Sequence, residues 1–178
     1  MPFILAHPAK TTSHGQVTTA LVESVDMYPS LAIAAGLPPD ALQGSLEGYS
    51  TVPLLDDPHL PWKKAAFSQY ARCGLNVSTG YYARCSNLKR EDIEVMGYSV
   101  RTAKWRFTEW FAFNGTQLKA NFSQTLATEL YSHKGDDGSD MDRSEVENVV
   151  YDPVNAAVVA KHKKIIREGW RKQLPTGR

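Results

Sequence analysis

The spacing of apolar side chains changes character twice along this chain. Phe3-Ile4-Leu5-Ala6 is a short continuous apolar run that reads as a buried strand, and beyond the polar stretch Lys10 to Thr19 the run Leu21 to Val25 reads as a second short strand. Asp26 then stands as an N-cap, with Pro29 in a first turn that has no backbone donor to lose, so a helix is expected over 27–35. Gly36 suits its C′ position, Pro38-Pro39 forbids continuation, and Leu31, Ala32 and Ala35 supply the apolar face. Val52-Pro53-Leu54-Leu55, followed by Asp56-Asp57-Pro58, predicts a helical turn and a stop. The segment from Pro58 to Pro61 is the expected boundary between two sub-regions, 1–60 and 61–178.

From residue 64 the period becomes two. Strands are expected over 64–70, 93–102, 104–113 and 126–133. Met96, Tyr98 and Val100 alternate with Gly97, Ser99 and Arg101, and Trp105, Phe107 and Phe111 alternate with Arg106, Thr108 and Trp110. The brief turn at Thr102-Ala103 makes these two strands an antiparallel hairpin. An acidic loop over 135–147 leads to the clearest helix, 154–173, with Asp152 as N-cap and Pro153 at N1. Val158, Val159, His162, Ile165, Ile166 and Trp170 form its apolar stripe. Lys161, Lys163, Lys164, Arg167, Arg171 and Lys172 gather toward its C-terminal end, where cations complement the helix dipole, and read as a solvated face. The class is therefore α+β, with a four-stranded antiparallel sheet and a C-terminal helix.

At 178 residues and 19.8 kDa the chain is long enough to bury about 70% of its surface without metals or staples. Its net charge is +1 with both signs interleaved, so no field is available to hold a polyanion and a nucleic-acid partner is excluded. The longest apolar runs are a few residues, far short of the roughly 20 that span a bilayer. The opening run is cut at once by His7 and Pro8 and is too short for the apolar core of a signal peptide.

No self-contained catalytic motif is present: there is no phosphate-cradling glycine loop, no Gly-x-Ser-x-Gly and no His-Glu-x-x-His. The five histidines lack ligand spacing, and His162 on the helix stripe reads as a packed imidazole. Asp136, Asp137, Asp140 and Asp142 lack the pattern of a calcium loop and read as solvated. Cys73 and Cys85 are too few for a structural zinc site. They are either a disulfide closing a short loop, which would contribute about 3 kcal/mol, or two free thiols. Three glycosylation sequons, at Asn76, Asn114 and Asn121, stand where composition gives about 0.8 by chance.

Leu21-Val22-Glu23-Ser24-Val25-Asp26-Met27-Tyr28-Pro29-Ser30-Leu31, Ala35-Gly36-Leu37-Pro38, Leu46-Glu47-Gly48 and Val52-Pro53-Leu54-Leu55 follow one another in an order that resembles the segment after the catalytic centre of type I sulfatases. Phe67-Ser68-Gln69-Tyr70-Ala71-Arg72, Met96-Gly97-Tyr98-Ser99-Val100-Arg101-Thr102, Trp105 to Trp110 and Glu129-Leu130-Tyr131 narrow the resemblance to the C-terminal part of the iduronate-2-sulfatase-like branch. It covers about residues 2 to 155. The departures are Ala71, where the family usually has proline, Ser132, often aspartate there, and a longer acidic loop.

The resemblance implies that residues 1–60 are the tail of an α/β catalytic domain and 61–178 a C-terminal sheet sub-domain. The family's formylglycine, made from Cys-x-Pro-Ser-Arg, and its calcium ligands lie upstream of the matched segment, so no catalytic residue, metal ligand or cofactor is expected in this chain. Arg72, which falls on the family's Ser-Gln-Tyr-Pro-Arg arginine, and Arg84, at an approximate basic position, become candidate contacts to a sulfated uronic acid. A planar guanidinium engages carboxylate and sulfate bidentately; the alternative is a structural arginine. The implied partners are the N-terminal catalytic portion and a sulfated sugar, and the implied route is secretory or lysosomal. A stand-alone, non-catalytic binding module with the same fold is the competing expectation.

Overall fold

The computed structural model describes residues 3–42, 44, 46–73, 89–140 and 144–175. It divides into two compact units, residues 1–66 with 173–178 and residues 67–172.

In the first unit the only α-helix among the described residues is α1, Met27–Ala34. It ends as its sequence demands. Gly36 takes φ +87°, and the amides of Gly36 and Leu37 close back on the carbonyls of Ile33 and Ala32, the paired bonds of a Schellman stop. Its start differs from expectation. Asp26 makes no side-chain cap to α1; its carboxylate is fully buried and accepts from the amides of Glu23 (2.9 Å) and Tyr49 (2.7 Å) and from Lys63 Nζ (2.7 and 2.8 Å). Glu23 Oε2 also accepts from Lys63 at 2.7 Å. A buried lysine needs such partners, because an unpaired charge in the interior is strongly disfavoured. Ser30 joins the same knot by donating to the carbonyl of Asp26 and meeting the hydroxyl of Thr51. The buried side of α1 is consequently Pro29, Ser30 and Ala32, while Leu31 and Ala35 face outward. Gly48 lies so close to Val25 that a Cβ would sit 1.9 Å from its carbonyl oxygen.

Neither opening run forms a strand. Residues 3–6 belong to no helix or strand, with Ile4 90% exposed, and Leu21 to Val25 runs into a 3-10 turn at Ser24–Asp26.

The second unit is an α+β layer pair. Strands β1 (Ala66–Cys73), β2 (Ile93–Arg101), β3 (Trp105–Asn114) and β4 (Lys119–Ser132) lie side by side in that order, and the β2–β3 and β3–β4 pairs are antiparallel. The helix α2 (Ala156–Glu168) follows a proline-led 3-10 turn whose N-cap, Asp152, accepts from the amide of Val154. The expected run to residue 173 is broken at Gly169, at φ +79°, and resumes as a 3-10 turn at Trp170–Gln173. Val100, Phe107, Phe111 and Leu130 are completely buried. His162 of α2 lies against Phe107, with ring centroids 6.1 Å apart, so α2 covers the sheet face that carries the in-phase residues 107, 109 and 111.

The last strand starts seven residues earlier than its apolar pattern suggests. Residues 119–125 are mostly exposed and pair with the end of β3 through two register shifts. On the far side of β4, Asn148 Oδ1 accepts from the amide of Leu130, and the amide of Val149 donates to its carbonyl, which satisfies part of an edge that would otherwise be open to another strand.

Candidate functional site

Period-two geometry sends Ser68, Tyr70 and Arg72 of β1 to the sheet face opposite α2, with Gly97 and Ser99 of β2, Thr108 and Trp110 of β3, and Glu129 and Tyr131 of β4. Trp110 is paired in register with Gly97. Its ring lies across that glycine, where a Cβ would come within 2.6 Å of the ring carbons, so only glycine admits this rotamer. The indole is fixed at both ends. Its Nε1 donates to Glu129 Oε1 at 2.7 Å, and the Arg72 guanidinium sits 5.0 Å from the ring centroid, a cation–π arrangement. Tyr131 donates its hydroxyl to the other carboxylate oxygen at 3.2 Å, and burial followed by the neighbouring Glu129 charge raises the tyrosine above its ordinary range. Thr108 donates to Ser99 Oγ at 3.0 Å. Between these groups is a hollow of about 240 Å³ lined in part by Tyr70, Ser99, Thr108, Trp110 and Glu129.

Of the residues singled out by sequence, Arg72 touches the Trp110 ring that walls this hollow and is exposed near the end of β1. Arg84, Cys85 and Asn76 lie outside the described residues, as does the side chain of Cys73, the last residue of β1. Asn114, at the end of β3, is exposed and its Oδ1 accepts from the amide of Gln117. Asn121 is exposed on β4, with its Oδ1 accepting from both the amide and the hydroxyl of Ser123.

Four further side chains were not marked by sequence as structural centres. Glu109 is buried on the α2 side, held by Arg167 in a two-pronged contact (2.6 and 3.1 Å) and by the Thr125 hydroxyl (2.9 Å). Its signal was available, since a carboxylate sits in phase with Phe107 and Phe111. His133 is buried with Nδ1 2.7 Å from Asp136 Oδ2 and Nε2 2.9 Å from Glu145 Oε1. The hydrogen bond from His133 lowers the carboxyl of Asp136, so this part of the acidic loop is anchored and not merely solvated. Arg101 and Arg106, opposed in register, are offset by Asp136 and Glu145 respectively.

Among the described residues no group of three or more His, Cys, Asp or Glu side chains could hold a metal ion. His162 donates from Nδ1 to the carbonyl of Val158 (2.7 Å) and lies 3.0 Å from Thr102 Oγ1; desolvation pushes it below its ordinary value.

Two solved structures share the fold: a 2-O GAG sulfatase, with TM-score 0.50 and 19% identity over 80% of this chain and 23% of that one, and a putative sulfatase from Bacteroides thetaiotaomicron, with TM-score 0.52 and 18% identity over 83% and 24%. No family model matches the chain. The chain resembles the C-terminal part of iduronate 2-sulfatase. It is 35% identical over 134 residues to the human protein and 34% identical over 139 residues to the mouse protein. Both alignments cover 66% of this chain and 24% of the relative, so the chain spans about a quarter of the length of the relatives it matches.

Proposed function

We propose that this chain is the C-terminal segment of a sulfuric ester hydrolase acting on a sulfated uronic acid. In this reading the formylglycine and the calcium are supplied by an N-terminal portion, and the chain alone is inactive. The observation that carries the reading is the 35% identity to iduronate 2-sulfatase across two thirds of the chain; the fold shared with two other sulfatases supports it. The chain's own contribution is substrate binding. Arg72 presents a fork of donors to a carboxylate or sulfate, and its contact with Trp110 limits the conformations it must give up on binding. Arg84 has the same chemistry available.

Two measurements test this. The purified chain, given calcium and either an aryl sulfate or a uronate 2-sulfate, is expected to show no turnover above buffer, and calcium-dependent hydrolysis by the chain alone overturns the reading. In the full-length enzyme, Arg72→Ala is expected to lower kcat/KM by the equivalent of about 1.5–3 kcal/mol, with partial rescue by lysine, which keeps the charge and loses the fork. For a secretory or lysosomal protein, peptide mapping without reductant is expected to find Cys73 joined to Cys85 and glycans at sequon asparagines. Two alkylatable thiols in correctly routed protein remove the disulfide.

A further inference from the structure

The hollow beside Arg72 holds more than one arginine's worth of chemistry. Glu129 offers about four acceptor sites on its two oxygens, of which Trp110 and Tyr131 use two, leaving acceptors for two ligand hydroxyls. Ser99 accepts from Thr108, so its own proton can be donated to a ligand, and Thr108 keeps a lone pair. Tyr70, 64% exposed, and the Trp110 ring supply apolar surface to the same space. Arg72, held against the Trp110 ring that walls this space, adds a single positive fork.

We propose that this hollow binds one acidic sugar unit, with its carboxylate or sulfate at Arg72 and its hydroxyls on Glu129, Ser99 and Thr108. The proposal rests on the sulfatase reading for the class of ligand at hand, and on the geometry for where that ligand sits. Size limits the occupant. At about 240 Å³ the space falls below the roughly 300–1,000 Å³ of clefts that enclose drug-sized ligands, which fits one ring and not a chain. Charge limits it further. A cation over the Trp110 ring and a carboxylate on its Nε1 suit a ligand that is anionic at one end and hydroxylic at the other, whereas a compact polyanion meets repulsion at Glu129. A neutral sugar forfeits Arg72.

The test titrates the whole 178-residue chain with glucuronic acid, with glucose and with sodium sulfate, following backbone amide shifts. Glucuronic acid is expected to bind saturably in the millimolar range, moving amides at 68–70, 97–99, 108–110 and 129. Glucose is expected to bind about fivefold more weakly, the equivalent of one modest hydrogen bond. Arg72→Gln should bring glucuronic acid down to the level of glucose, and Glu129→Gln, which still accepts from Trp110, should weaken both. Should Glu129→Gln lose its dispersed spectrum, Arg72→Gln decides alone, because Arg72 is exposed near a strand end. The proposal is overturned if glucuronic acid gives no saturable shifts by about 50 mM, if glucose binds equally well, or if sulfate alone reproduces the same shifts at the same affinity. A separate outcome distinguishes the two readings. Loss of turnover in full-length Arg72→Gln, with no sugar binding by the chain, sinks the sugar site and leaves the sulfatase assignment standing.

Discussion

Removing Arg167 should destabilise the second unit more than neutralising its partner does. Glu109 has no exposed side-chain surface, while the Arg167 side chain is 37% exposed. Arg167→Ala leaves the buried carboxylate with the Thr125 hydroxyl and with Lys163, whose Nζ is 3.9 Å away. Breaking a buried pair by deleting one partner costs about 3–5 kcal/mol. Lys163 can move closer and the arginine was partly hydrated, so the expected loss is about 2–3 kcal/mol, which includes the contact of the guanidinium with Phe111 at 5.3 Å. Glu109→Gln removes the charge at the buried end. The amide still accepts from Thr125, and Arg167 can turn to water, so the loss is that of one charge-assisted bond exchanged for a neutral one, about 1 kcal/mol. Urea unfolding followed by hydrogen exchange of the β3 amides reads the second unit directly. If Glu109→Gln costs more than Arg167→Ala, or if both cost under about 0.5 kcal/mol, the buried-anion argument is wrong.

Gly97→Ala forces the Trp110 ring off its seat and should cost about 1–3 kcal/mol, with a shift in tryptophan emission; unchanged emission and stability would falsify the stacking described above. His162 is held below its ordinary value of 6.5, first by desolvation. The unfolded chain therefore takes up a proton before the folded one. Stability from this group is full above about pH 6.5 and is lost as pH falls through the lowered folded value. Melting temperatures between pH 7.5 and 5 should show that slope, and His162→Gln should flatten it. Leu31→Gln, on the outer side of α1, should change stability by less than about 0.5 kcal/mol; a larger loss in urea titration contradicts its exposure.

Sequence pattern located β2 and β3 to within a residue because their alternation is strict and one face is wholly buried. It missed the first half of β4, since only Ala120 and Phe122 mark an apolar alternation there, and Phe122 is seated by Phe111 and Tyr98 of the neighbouring strands. It overran α2 because only Gly169 breaks an otherwise helical stretch. The candidate site was legible in one residue, Arg72, and that through resemblance. Trp110, Gly97 and Glu129 belong to three different strands, and only the register Gly97 with Trp110 and Thr108 with Glu129 brings them together.

The first unit fails expectation in a different way. Its apolar runs were read correctly as apolar and wrongly as buried: Ile4 is 90% exposed and Leu31 59%. The same pattern rules give complete burial at Val100, Phe107 and Phe111 in the second unit, where the covering helix is part of the chain. Scattered single apolar residues on a surface need no explanation, but Val25, Met27, Tyr28, Leu31 and Leu37 are all exposed within thirteen positions around one helix, and α1 is apolar on nearly every side. A helix apolar all round is ordinarily one enclosed by protein. Relatives about four times as long, in which the matched segment is a quarter of the whole, supply a physical reason for a sequence to encode burial that its own described residues do not provide. The mismatch is measured in exposed side chains and not in matched letters, and it fits a helix that packs against further protein.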